Sequence, residues 1–235
     1  MTKSSIPQET LLEAISEEAG RLIYHLRCSN APDEVLAEAT GHIQAAMKTL
    51  APWLKQGEGW STVSLASDTP GFAWREDDLT AVMPYSPISG RRNPVAPPIR
   101  LWREGDQVRG EAFFSATYAG PPDSVHGGII AAVFDELLSM SSVILGVAGF
   151  TGTLSVRYHH KTPLDTPIEL WAMQERADGR KLHCRAEMRV DGRVTASAQG
   201  LFIAPGREAT AMVTDHLGRG QDPPAGVGAG DKDDS

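Results

Sequence analysis

The sequence predicts an α+β fold in which an antiparallel sheet curls around one buried helix, with a helical hairpin ahead of it. Three observations carry the prediction. From Ile129 to Leu145 the chain is almost wholly apolar (Ile129, Ile130, Val133, Phe134, Leu137, Leu138, Met140, Val143, Ile144 and Leu145), and a helix apolar on every face must be buried. Later stretches alternate apolar and polar residues and are punctuated by Asp-Gly at 178–179 and 191–192, a strong hairpin signal. Near the N-terminus, two segments repeat apolar residues at spacings of three and four, the mark of amphipathic helices.

In chain order, residues 8–27 read as the first helix. Leu11, Leu12, Ile15, Ala19, Leu22, Ile23 and Leu26 form its stripe, with Ser5 and Pro7 at its start. Residues 31–50 read as the second, opened by Pro32 and ended by Pro52. These helices form an N-terminal extension, residues 1–56, that needs the core or a second subunit to pack on. Residues 57–98 are a Pro/Gly-rich connecting segment whose prolines exclude helix and central strand. It is expected to lie across the surface, with Arg91–Arg92 in a solvated turn. Ile99–Arg103 and Val108–Tyr118 read as a first hairpin across Glu104-Gly-Asp. After the apolar helix come strands at 154–158, 168–176, 180–190 and 194–204. An antiparallel sheet over residues 99–204, wrapped around that one helix, satisfies both patterns. Residues 205–235 read as a disordered acidic tail.

Bulk properties exclude several classes. The 235 residues carry a net charge of −8 with the acid concentrated in the flanks, so no nucleic acid is expected as partner. Residues 151–204 hold more bases than acids, with Arg176, Arg180, Lys181, Arg185, Arg189 and Arg193 close together. Such a patch suits a small polyanion as well as a solvated strand face. A membrane span over the apolar run would place Asp135 and Glu136 in its middle, each costing ~3 kcal/mol, so no membrane partner is expected. The N-terminus lacks the apolar core of a signal peptide, and a soluble cytoplasmic protein is the expectation. Cys28 and Cys184 have no motif spacing, so neither a disulfide framework nor a metal knuckle is expected. His159 and His160, adjacent on a strand, would point to opposite faces, and no metal constellation is complete.

The chemistry concentrates at the apolar helix. A helix N-terminus offers backbone N–H groups without internal partners and a partial positive charge, and Gly127 and Gly128 allow a ligand to approach them. Such a site polarises a carbonyl and stabilises an oxyanion. Asp135 lies seven residues after Gly128, within ~20° of two whole turns and ~10.5 Å along the axis. Both share one side of the helix, yet one carbonyl cannot touch both. An antiparallel second copy of the helix would bring one subunit's glycines beside the other's Asp135. Asp135 is alternatively a core carboxylate satisfied by Ser139 or Thr151. Glu136 faces a polar gap or pairs with an arginine. His126 reads first as a residue that orients the loop.

The stretch Tyr118-Ala-Gly-Pro-Pro-Asp-Ser-Val-His-Gly-Gly-Ile-Ile-Ala-Ala-Val-Phe-Asp resembles the signature of hotdog-fold acyl-CoA thioesterases of the PaaI-like type. Thr151-Gly-Thr-Leu-Ser-Val-Arg-Tyr-His-His-Lys-Thr-Pro is similar to the strand that follows in that family. The resemblance covers roughly residues 98–204. It implies a hotdog fold, a homodimer or dimer of dimers, and hydrolysis of acyl-CoA thioesters without a cofactor. Carried over, Gly127 or Gly128 would bind the thioester oxygen. Asp135 of the facing subunit would activate water or attack directly, and Thr151 would orient the water or the carboxylate. His126, Thr153, Arg180 and Lys181 are the candidate substrate-binding residues, with Thr153 a competitor for the place of Thr151. Some family members bind the carbonyl with an upstream asparagine. Residues 99–125 contain none, so the glycine amides, or another donor, would have to serve.

Two rival classes remain. A hotdog hydratase would pair the acid with a nearby histidine, and none follows Asp135 in its helix. A non-catalytic acyl-CoA-binding or regulatory hotdog protein would leave Asp135 without chemical use. A serine hydrolase would need Gly-x-Ser-x-Gly, which is missing.

Overall fold

The computed structural model describes residues 7–54 and 75–204. The expected tail at 205–235 and residues 57–74 of the connecting segment lie outside the described residues. Helix α1 spans Gln8–Cys28 and α2 spans Asp33–Leu50, followed by a short 3-10 turn at Ala51–Trp53. Strands β1 (Ile99–Glu104) and β2 (Gln107–Phe113) precede α3 (Gly127–Val143). Strands β3 (Phe150–Tyr158), β4 (Pro167–Asp178), β5 (Lys181–Val190) and β6 (Arg193–Ile203) follow it. The six strands form one sheet in the order β1-β2-β4-β5-β6-β3, and all its pairings are antiparallel.

The sheet carries α3 across one face. Ile130, Val133, Phe134, Leu137, Leu138 and Met140 are buried there. Beneath them Ala172, Ala186 and Ala198 stand opposite one another on β4, β5 and β6, and all three are buried. Small side chains in a row let the helix axis approach the sheet. Gly200 extends this floor: a Cβ there would lie 2.7 Å from the Phe202 ring and 3.0 Å from Leu138 Cδ1, too close for packed neighbours that cannot move aside. The β5–β6 turn places Asp191 at φ 49° and Gly192 at φ 75°, the two positive φ angles of a tight hairpin turn.

Three expectations need correction. The second strand stops at Phe113 rather than Tyr118, because Ser115 starts a 3-10 turn over Ala116–Tyr118 and accepts from the Thr117 N–H. The third strand begins at Phe150, four residues earlier than its alternation suggests. A bulge between Thr151 and Thr153 breaks the period of two and hides the first half of the strand from sequence reading. The segment 75–98 is not simply laid over the surface. Leu79, Thr80, Val82, Ser86 and Ser89 are buried, with Leu79–Val82 in a 3-10 turn packed on β1. Arg91 pairs with Asp78 at 2.8 Å, and Arg92 reaches Glu9 at 3.3 Å and Glu13 at 3.9 Å on α1. The solvated turn expected there is a clip between α1 and the core.

Helices α1 and α2 form at the expected residues, and neither buries any residue fully. α1 packs against the Ala116–Tyr118 turn, whereas α2 runs straight into the Ala51–Trp53 turn, and the two helices make few contacts with each other. The expected hairpin is therefore two helices in succession, each still showing apolar side chains such as Leu11, Ile15, Met47 and Leu50 to solvent.

Candidate active site

Helix α3 begins where His126 leaves the loop in an extended conformation and caps the first turn. Its Nδ1 accepts the Gly128 N–H at 3.0 Å. The carbonyl of His126 takes the Ile129 and Ile130 N–H groups at 2.9 and 3.2 Å. Of the first-turn amides, only that of Gly127 has no acceptor among the described residues. Sequence reasoning left Gly127 and Gly128 equivalent; the imidazole separates them. The Gly127 carbonyl, in turn, accepts from the Tyr158 hydroxyl at 2.8 Å. Tyr158 ties the helix start to the end of β3 and was missed in the sequence. Its alternation with Leu154 and Val156 was the available signal, since residues two apart on a strand share a face.

At the other end of β3, the Thr151 hydroxyl donates to Asp135 Oδ1 at 2.7 Å. Thr151, rather than Ser139, is thus the partner of this carboxylate. The bulge decides between the two threonines. Thr151 stands opposite Phe202, which is fully buried beneath α3, whereas Thr153 stands opposite Leu201 on the other face. Directly paired residues share a face, so Thr153 points away from Asp135 and is not brought to the site.

The two adjacent acids, both half-buried, have different surroundings. Asp135 is half-buried beside the edge strand. Glu136 lies under the 75–98 segment, where the Ser89 hydroxyl donates to it. Burial pushes its carboxyl above the ordinary range, and hydrogen bonds from Ser89 and Ser86 only partly oppose this. The polar gap expected around Glu136 is lined by serines, and among the described residues no arginine pairs with it. Nothing local in the sequence links positions 89 and 136.

Arg180 and Lys181 sit elsewhere. Lys181 pairs with Ile203, which in turn pairs with Phe150. Tyr158 marks the opposite end, ~26 Å away along β3. Arg180 is also committed, its Nε donating to the Ala204 carbonyl at 2.8 Å. A single chain therefore does not bring this pair to Gly127. Among the described residues no cluster of three His, Cys, Asp or Glu could hold a metal ion, and no helix is long and apolar enough to cross a membrane.

No protein-family model matches the chain. Curated relatives are similar over 86 residues: human acyl-coenzyme A thioesterase THEM5 at 31% identity, covering 36% of this chain and 35% of the relative, and Xenopus laevis acyl-coenzyme A thioesterase THEM4 at 31%, covering 39% of the relative. The chain thus spans little more than a third of the length of the curated relatives it matches. A solved thioesterase superfamily protein is similar at 28% identity and a TM-score of 0.70, over 82% of this chain and 94% of the other. An antiparallel sheet around one helix is the hotdog arrangement, and this chain resembles hotdog-fold thioesterase superfamily proteins in both sequence and fold.

Proposed function

We propose that the protein hydrolyses acyl-CoA thioesters to free acid and CoA at a site shared between two subunits. The observation that carries this reading is the Thr151–Asp135 hydrogen bond on β3, at the far end of the strand from the Gly127 amide that lacks an acceptor. Strand β3 is an edge strand, exposed along most of its length with Phe150 75% exposed. An open edge invites pairing. Antiparallel pairing of β3 with its copy sets the Tyr158 end of one chain against the Phe150 end of the other. Gly127 of one subunit then faces Asp135 of the partner subunit, whereas within a chain the two are ~12 Å apart along the helix.

In this arrangement the thioester carbonyl oxygen accepts from the Gly127 N–H, in the field of the helix N-terminus. Thr151 fixes the carboxylate of Asp135, leaving Oδ2 to accept a proton from water. The water oxygen bonds to the carbonyl carbon, its proton passes to Asp135, and negative charge collects on the oxygen held by Gly127. Collapse re-forms the carbonyl and breaks the C–S bond, and the proton on Asp135 passes to the departing thiolate. His126 holds the turn by capping Gly128.

A panel of acyl-CoA substrates of different chain length and aromaticity, read by free thiol, tests the reading. Thiol release from at least one is expected, and no release above a blank across the panel would overturn it.

A further inference from the structure

Two glycines in succession make a soft start to a helix, because a residue without a Cβ visits a wide range of φ and ψ. Around Gly127 and Gly128 the restraint comes from two rings instead. A Cβ on Gly127 would meet Tyr158 Oη at 3.4 Å and the ring carbons Cε1 and Cζ at 3.5 Å. A Cβ on Gly128 would lie 3.1 Å from His126 Nδ1 and Cε1. The phenol therefore rests on one glycine and the imidazole on the next. Each ring also makes a hydrogen bond there. Tyr158 Oη donates to the Gly127 carbonyl at 2.8 Å, and His126 Nδ1 accepts the Gly128 N–H at 3.0 Å.

Both bonds close on a single peptide group. The Gly127 carbonyl and the Gly128 N–H are the two ends of the planar 127–128 unit, so Tyr158 holds it from β3 while His126 holds it from the loop. A carbonyl oxygen has two lone pairs, so the grip does not take it out of the helix ladder. The preceding unit, 126–127, carries the Gly127 N–H, the first-turn amide without an acceptor among the described residues. Its oxygen is fixed by the Ile129 and Ile130 N–H groups at 2.9 and 3.2 Å. Between the two units only φ and ψ of Gly127 can turn. With both units held, the Gly127 N–H points in one direction. Core packing does not account for Tyr158. It is 51% exposed, whereas Leu154 and Val156 on the same face of β3 pack against the core. Deleting its hydroxyl therefore empties no cavity.

We propose that Tyr158 is a positioning residue for hydrolysis: its hydroxyl, together with His126, clamps the 127–128 peptide and so aims the Gly127 N–H at the thioester oxygen. The proposal rests on the thioesterase reading for its reaction. In this role Tyr158 acts through the Gly127 amide and not on the substrate. Preorganised donors stabilise an oxyanion because they need not reorient as charge develops. Removing such a donor outright costs about 10²–10³ in kcat, and loosening one that stays in place costs a part of that.

The test is Tyr158→Phe in the full chain, which keeps the ring and deletes the hydroxyl, with His126→Ala and the double variant beside it. In Tyr158→Phe, kcat for a hydrolysed acyl-CoA is expected to fall about tenfold, with KM and melting temperature nearly unchanged. Because both residues hold one peptide, the double variant should lose little more than the worse single variant. Losses that multiply would mean two separate effects and overturn the clamp. The activity-independent probe is a ketone analogue of the acyl-CoA, with a methylene group in place of the thioester sulfur and an isotope-labelled carbonyl. In infrared difference spectra, its carbonyl stretch should fall on binding wild type and fall less on binding Tyr158→Phe. An equal stretch in the two overturns the clamp, and thiol release by wild type then leaves the hydrolytic reading standing. A stretch that relaxes in the variant, together with no thiol release from wild type, supports the clamp and overturns the hydrolytic reading.

Discussion

The two flanks of α3 treat neighbouring acids in opposite ways. On one flank the 75–98 segment closes over Glu136, and Ser89 and Ser86 supply its hydrogen bonds from residues that are themselves buried. On the other, Asp135 meets the open edge strand, takes one hydrogen bond from exposed Thr151 and keeps its remaining acceptor sites available. The residues are one step apart on one helix. A half-buried carboxyl whose hydrogen-bond partners are buried hydroxyls is a structural clasp, because desolvation makes charging it costly. A half-buried carboxylate with one orienting partner is available for proton transfer.

The largest expected effect falls on the open flank. Asp135→Asn removes the base and should lower kcat by about 10²–10⁴-fold, leaving the melting temperature nearly unchanged. Retained turnover, or a loss of fold to match the loss of rate, would break the contrast. Next comes the closed flank. Glu136→Ala strands the hydroxyls of Ser89 and Ser86 and should cost about 1–3 kcal/mol in denaturant unfolding. Thr151→Val frees Asp135 without emptying the site. It should lower kcat by about tenfold, the equivalent of one modest hydrogen bond, with little change in stability.

The smallest effect is a slope with pH. Burial raises the Glu136 carboxyl above its unfolded value, so the folded chain binds the proton more tightly. Its contribution to stability is fully present below the unfolded pKa and is lost as pH climbs through the raised folded one. Glu136→Gln, which cannot ionise, should flatten this part of the pH profile in denaturant unfolding. An unchanged slope would mean that Glu136 is not the group responsible.

What was legible in the sequence was local. The apolar run of α3, the Asp-Gly turns and the stripes of α1 and α2 lie within a few residues of the structure they specify. Thr151 and Asp135 were within reach because a strand and a helix of known period carry them. The bulge at Gly152 was not, since an extra residue looks like failed alternation until its partner strand is seen. The closure over Glu136 was also hidden. Ser89 is 47 residues away in a proline-rich stretch whose composition reads as surface. Charge count points to Arg180 and Lys181, and register puts them at the Phe150 end of the sheet, away from Gly127 of their own chain.

The composite site itself is tested most directly by mixing two inactive chains. Gly127→Pro deletes the N–H donor at the first helical position, where proline is tolerated, and Asp135→Asn deletes the base. In a mixed dimer with a shared site, intact Gly127 of one chain faces intact Asp135 of the other, and thiol release should return at one of the two sites. Continued inactivity despite proven subunit exchange would contradict a site built from both subunits.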